Sequence, residues 1–276
     1  MFRRRSYRRS VGALIVASLI GATAAAWAEL PARASAASPS TLPTVVLVHG
    51  AWADGSSWQD VTTRLQQAGY TVDVPPDTLR GVSQDSAYLA SYLATISGPI
   101  VLVGHSYGGF VITNAALGNP NVKALVYVDA FIPAQNDTLF GLTNGSCLSG
   151  NPASVFNVVP FSGGLDVYIQ PSANGSFPGF DECFANGVPN KMADALAASQ
   201  RPISFGALIE PSGPPAWTSI PSWAVIGTED HVIPPAELES MAERAKANIT
   251  DVNAGHLSMV TQPSAVTHVI EEAANA

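Results

Sequence analysis

A serine hydroxyl is a weak nucleophile at its ordinary pKa and becomes reactive only where a turn presents it to a base. Gly104-His105-Ser106-Tyr107-Gly108-Gly109 has the composition of such a turn. The apolar run Ile100 to Val103 leads straight into it, and helical spacing from Tyr107 to Leu117 follows at once. That is the strand, turn and helix order that G-x-S-x-G needs. Its glycines carry no Cβ to collide in a sharp bend, and the bend sets the Ser106 hydroxyl beside a helix N-terminus, where free N–H groups favour an anionic intermediate. A plain Gly-Ser turn would show the same letters, so a base and an acid must be found elsewhere in the chain. His256 sits in Val252-Asn253-Ala254-Gly255-His256-Leu257, and Asp230 follows the apolar run Trp223 to Ile226 in Gly227-Thr228-Glu229-Asp230-His231. Ser106, Asp230, His256 is the chain order that accompanies this kind of turn. Glu229 and Asp129, the latter ending the run Ala124 to Val128, are the competing acids.

These residues need elements to carry them. Thr44 to Val48, Ile100 to Val103, Ala124 to Val128 and Trp223 to Ile226 read as strands buried on both faces. Between them, Trp58 to Ala68, Ser83 to Ile96, Tyr107 to Leu117, Ala236 to Ala247 and Pro263 to Ala273 have helical spacing. The alternation predicts an α/β fold with a doubly wound, mostly parallel sheet. The segment from Phe131 to Pro215 breaks the rhythm, holding ten of the 21 prolines and ten of the 23 glycines, with one clear helical piece, Lys191 to Ser199, and no convincing strand. It reads as an inserted lid at about 131–215, its aromatic residues packed over an apolar pocket, or as an irregular excursion that they staple down.

Arg3, Arg4, Arg5, Arg8 and Arg9 precede the apolar run Val11 to Trp27 and the small-residue triplets Ala26-Trp27-Ala28 and Ala34-Ser35-Ala36. This order predicts an export signal over residues 1–36, with the mature domain at 37–276 secreted or periplasmic. An uncleaved anchor is the alternative, but the run is somewhat short of the roughly 20 apolar residues a spanning helix needs. With 47% apolar residues the chain can build a core, and with 13 Lys and Arg against 21 Asp and Glu, six of the basic residues lying before position 37, its body is acidic. Nucleic acid and anionic membrane surfaces are excluded as partners on that balance. In an exported protein the isolated pair Cys147 and Cys183 predicts a disulfide, with two buried thiols as the alternative. No Cys-His cluster or His-Glu-x-x-His is present, so neither metal nor cofactor is expected. His49 and His105 read as braces of the neighbouring loops, and His231 and His268 as loop and surface-helix residues. Trp52 and Trp58 suit a pocket wall or a core equally.

Together with the loop Val48-His49-Gly50-Ala51-Trp52-Ala53-Asp54-Gly55-Ser56-Ser57-Trp58, these motifs resemble the α/β-hydrolase superfamily, within it the small lidded esterases and hydroxynitrile lyases. The resemblance runs from Leu42 to the C-terminus. It implies Ser106 as nucleophile, His256 as general base and then acid, Asp230 as the orienting carboxylate, and the backbone N–H groups of Ala51 and Tyr107 as an oxyanion hole. Similar hydroxynitrile lyases carry a lysine directly after the histidine, where Leu257 stands here. The expectation is therefore an exported serine carboxylesterase acting on a small or medium hydrophobic ester through an acyl-enzyme. The other readings are a lyase-like or lactone-cleaving enzyme and a non-catalytic ligand-binding protein. Neutral imidazole is the base, so activity should fall as His256 protonates, with Asp230 raising that pKa.

Overall fold

A computed structural model describes residues 42–276. The expected export signal lies outside them.

From the N-terminal side the chain forms β1 (Thr44–Val48), α1 (Gln59–Gln67), β2 (Val72–Asp73), α2 (Val82–Leu93), β3 (Ile100–His105), α3 (Gly108–Ala115) and β4 (Val122–Val128). It then leaves the sheet through α4 (Pro152–Val155), β5 (Phe156–Phe161), β6 (Gly164–Ile169), β7 (Ser172–Asn174), β8 (Phe177–Gly179), α5 (Phe180–Cys183), α6 (Asn190–Ser199), β9 (Ile203–Ser204) and α7 (Phe205–Ile209). It returns as β10 (Ser222–Gly227), α8 (Pro235–Arg244), β11 (Asn248–Val252), α9 (Ser258–Thr261) and α10 (Pro263–Ala274). Six strands pair in parallel, in the order β11-β10-β4-β3-β1-β2.

Every residue of β3 is buried, which a strand achieves only with cover on both faces. Helices α2 and α3 pack together, with α3 on β1, β3 and β4; α1 and α10 form another pair, with α10 on β3, β4 and β10. Parallel pairing puts the carboxyl ends of β1, β3, β4, β10 and β11 along one edge, so the loops holding residues 49–54, 106, 129, 228–234 and 253–257 meet there.

Two strands of this sheet escape the sequence pattern. β2 has two residues, too few for periodicity, and β11 is an edge strand whose Asn248, Ile249 and Asp251 face solvent, so its apolar signal is diluted.

The expectation that 131–215 holds no strand is wrong. β5, β6 and β9 form an antiparallel sheet, and β7 and β8 a hairpin. β5 is exposed along most of its length, and although Val158 to Phe161 are apolar, Pro160 among them argues against a strand. The helix expected over Lys191 to Ser199 is α6. Phe156, Phe177, Phe180 and Phe184 are buried as expected of packed aromatics, whereas Phe140 and Phe161 are exposed.

Cys147 and Cys183 form a disulfide, with Cα atoms 5.8 Å apart. It closes on the loop that follows β10: the Cys147 N–H donates to the His231 carbonyl at 2.9 Å, and His231 Nδ1 bonds the Glu182 carbonyl at 2.9 Å. Reduction should destabilise the protein by about 2–4 kcal/mol, because it releases a cross-link across tens of residues of the unfolded chain. A thermal midpoint unmoved by dithiothreitol would contradict this.

Candidate active site

Ser106 lies between β3 and α3 with φ of +52°, a left-handed conformation uncommon for a residue with a Cβ, and is only 2% exposed. Close approach of backbone explains the glycines around it. A Cβ on Gly104 would stand 2.7 Å from the Gly108 carbonyl oxygen, and one on Gly50 would stand 2.6 Å from Ser106 Cβ and 2.9 Å from the His105 carbonyl oxygen. The loop after β1 is thus pressed directly onto the elbow. Gly104→Ala should destabilise the protein by about 1–3 kcal/mol through that overpacking, seen as a lower thermal midpoint.

The N–H groups of Ala51 and Tyr107 flank this contact, and neither donates to an acceptor among the described residues. The Tyr107 hydroxyl donates to buried Asp85 at 2.8 Å, and Asp85 also accepts from Thr78 and the Arg80 and Gly81 N–H groups. His49 Nε2 accepts from the Asp77 N–H at 3.0 Å, so Nδ1 carries the proton and donates to the Gly50 carbonyl at 2.9 Å. This residue braces the loop from within.

His256 is fully buried, and its Nδ1 lies 2.8 Å from Asp230 Oδ2. The other carboxylate oxygen, Oδ1, accepts the Val232 and Ile233 N–H groups at 2.8 and 2.9 Å. Of the competing acids, Glu229 is exposed, and Asp129 is buried but spends both oxygens on backbone, accepting from Gly227 N–H at 2.7 Å and Ser258 N–H at 3.0 Å. Asp129 therefore staples the Asp230 loop to the His256 loop. His105 donates from Nε2 to the His256 carbonyl at 2.9 Å and packs its ring 4.8 Å from that of His256. His256 Nε2 is buried with no partner among the described residues, and it makes no hydrogen bond to Ser106.

Burial pushes the His256 pKa down, because imidazolium loses its hydration there. Burial thus acts against the rise expected from the neighbouring Asp230. Burial pushes Asp230 up, opposed by the Ile233 and Val232 N–H bonds. Asp129 is raised by burial and then by the charge of Asp230.

The tryptophans separate. Trp58 is core, edge-on to His105. Trp52 is a wall: it borders a cavity of about 610 Å³ whose other lining includes Leu148, Phe156, Val167, Phe205 and Leu208, without a charged side chain. Phe184 stands between this wall and the imidazole, 6.0 Å from the Trp52 ring and 5.2 Å from that of His256. Its role was invisible in the sequence, since no local signal tells which of the many phenylalanines in the excursion meets His256.

Residues 45–269 match the model of the "Alpha/beta hydrolase family". The chain belongs to that family. This α/β hydrolase is 38% identical to a carbendazim hydrolyzing esterase of Nocardioides sp. over 110 residues, which span 35% of this chain and 46% of the relative's length. It is 26% identical to a pyrethroid hydrolase of Sphingobium wenxiniae over 261 residues, covering 86% of this chain and 89% of the relative. Among solved structures, polyneuridine aldehyde esterase is similar with a TM-score of 0.68 at 20% identity, covering 84% of this hydrolase and 98% of that chain. At that identity the likeness bears on fold alone, and it agrees with the α/β-hydrolase architecture described above.

Proposed function

We propose that this α/β hydrolase is a serine carboxylesterase for small to medium hydrophobic, uncharged esters. The observation that carries the reading is the buried Asp230–His256 hydrogen bond, held in loops at the same carboxyl edge of the sheet as an elbow serine whose loop offers two unengaged backbone N–H groups. In the reaction, Ser106 Oγ attacks the ester carbonyl while His256 Nε2 takes its proton. The carbonyl oxygen, now an oxyanion, is held by the Ala51 and Tyr107 N–H groups. Collapse expels the alcohol, which leaves with the proton from His256, and an acyl-serine remains. Water then attacks that acyl group, His256 takes the water's proton and returns it to Ser106, and the carboxylic acid departs. No step calls for a cofactor.

The cavity is lined by Trp52, the neighbour of Ala51, but not by Ser106 or His256, and its uncharged lining supports an apolar group extending past Trp52; the names of two relatives, a carbendazim hydrolyzing esterase and a pyrethroid hydrolase, support ester cleavage. Export is part of the same proposal: a disulfide suits an oxidising compartment, and the arginine-rich, then apolar, N-terminus suits a cleaved signal. A lid over 131–215 that shapes specificity is proposed on the same footing.

The test is turnover on p-nitrophenyl esters of graded acyl length beside a lactone and a cyanohydrin. Ester hydrolysis is the expected result. Cyanide release without ester hydrolysis would favour the lyase, against which stands Leu257 in the lysine position.

Burial holds the His256 pKa below its ordinary value of 6.5, so imidazole stays in its neutral, proton-accepting form into mildly acidic solution. The acid limb of the kcat/KM profile should accordingly bend below pH 6.5, with activity lost only as the pH falls further. An acid limb centred above that value would mean that Asp230, rather than burial, controls the imidazole.

A further inference from the structure

We infer that Trp52 is a positioning residue for the oxyanion loop, through which the excursion between β4 and β10 acts on the chemistry at Ser106; this rests on the acyl-transfer reading, in which the Ala51 N–H is an oxyanion donor. Trp52 holds φ of +57°, in a region that a bulky side chain adopts only when its surroundings enforce it. Two hydrogen bonds do so, and both acceptors belong to the excursion. The Trp52 N–H donates to the Arg201 carbonyl at 3.0 Å, and its indole N–H donates to the Val167 carbonyl at 2.9 Å. The ring is stacked on Phe156 at 6.1 Å and meets Phe184 edge-on.

Ala51 is therefore held between two anchors. On one side Gly50 is packed against Ser106 and His105. On the other, Trp52 is tied through main chain and side chain to β6 and to the segment entering β9. The direction of the Ala51 N–H follows from both, and loosening the Trp52 anchor lets that donor swing away from the developing oxyanion. Reacting groups displaced by about 1 Å cost up to about a hundredfold in rate.

The same indole borders the apolar cavity, so it has two separable roles. A wall acts on substrates that reach it and shows in KM as the acyl group grows. An anchor for a donor acts on every substrate and shows in kcat even for acetate.

Trp52→Phe keeps an aromatic ring and removes the indole donor. The measurement is kcat and KM on p-nitrophenyl esters from acetate upward, together with the rate at which a small organophosphonate labels Ser106, with circular dichroism to verify the fold. The expected result is a kcat lower by about tenfold or more on acetate, by a similar factor at each acyl length, with slower phosphonylation and little change in acetate KM. Loss confined to long acyl groups, or phosphonylation at the wild-type rate, overturns the inference. If the variant does not fold, replacing Trp52 by 3-benzothienylalanine keeps the shape without the N–H: reduced kcat on acetate supports the anchor, and unchanged kcat overturns it. Wild-type protein that neither hydrolyses acetate nor takes the phosphonate defeats the acyl-transfer reading itself, a result distinct from equal labelling of wild type and variant.

Discussion

Ser106→Ala is expected to lower kcat/KM on any ester by about 10⁴-fold or more and to abolish organophosphonate labelling. The side chain is small, sits at a left-handed φ and loses only one oxygen, so the variant should keep its fold and bind substrate with similar affinity. Whatever turnover remains would come from the Ala51 and Tyr107 N–H groups acting on a water-mediated attack, and it should be independent of acyl-enzyme formation. The assay is a rate comparison with purified, folded variant, with mass spectrometry of the labelled protein. Turnover within tenfold of wild type would remove Ser106 from the mechanism and leave only a reading in which water attacks without an acyl-serine.

Asp230→Asn should cost about 10⁴-fold in kcat, through the tautomer of His256. In the wild type, Oδ1 accepts the Val232 and Ile233 N–H groups and Oδ2 faces His256 Nδ1, which must then carry its proton and leave Nε2 free as base. An asparagine would keep its carbonyl oxygen on those two N–H groups and turn its amide nitrogen toward His256. That nitrogen donates, so Nδ1 must accept, the ring proton moves to Nε2, and the base disappears. Asp129→Asn serves as the discriminating comparison. Both Asp129 oxygens accept backbone N–H groups, so an amide there leaves one of them unsatisfied and should lower stability more than it lowers turnover per folded molecule. Near-normal kcat in Asp230→Asn with collapse in Asp129→Asn would exchange the two roles.

Much of this site is legible in the chain itself because its signals are local. A sharp turn with no room for Cβ atoms demands glycine at 104 and 108, a buried parallel strand demands an unbroken apolar run such as Ile100 to Val103, and both constraints act within a few residues. The same locality explains what was lost. β5 keeps apolar side chains on the surface around Pro160, a residue that argues against a strand, and β11 is a polar edge. Ser106, Asp230 and His256 could be nominated from their loops, but Asp129 ends a strand just as Asp230 follows one, and only partners distinguish them.

By itself the sequence determined four of the six strands of the parallel sheet, the helices that cover it and the three candidate side chains, because periodicity, turn sterics and strand burial are written into short stretches of residues. Tertiary structure alone decided which carboxylate meets the imidazole, which tryptophan is wall and which is core, and that burial lowers the His256 pKa. Those outcomes depend on desolvation and on hydrogen bonds between segments far apart along the chain, and no local pattern of residue types encodes a neighbour that folding brings from elsewhere.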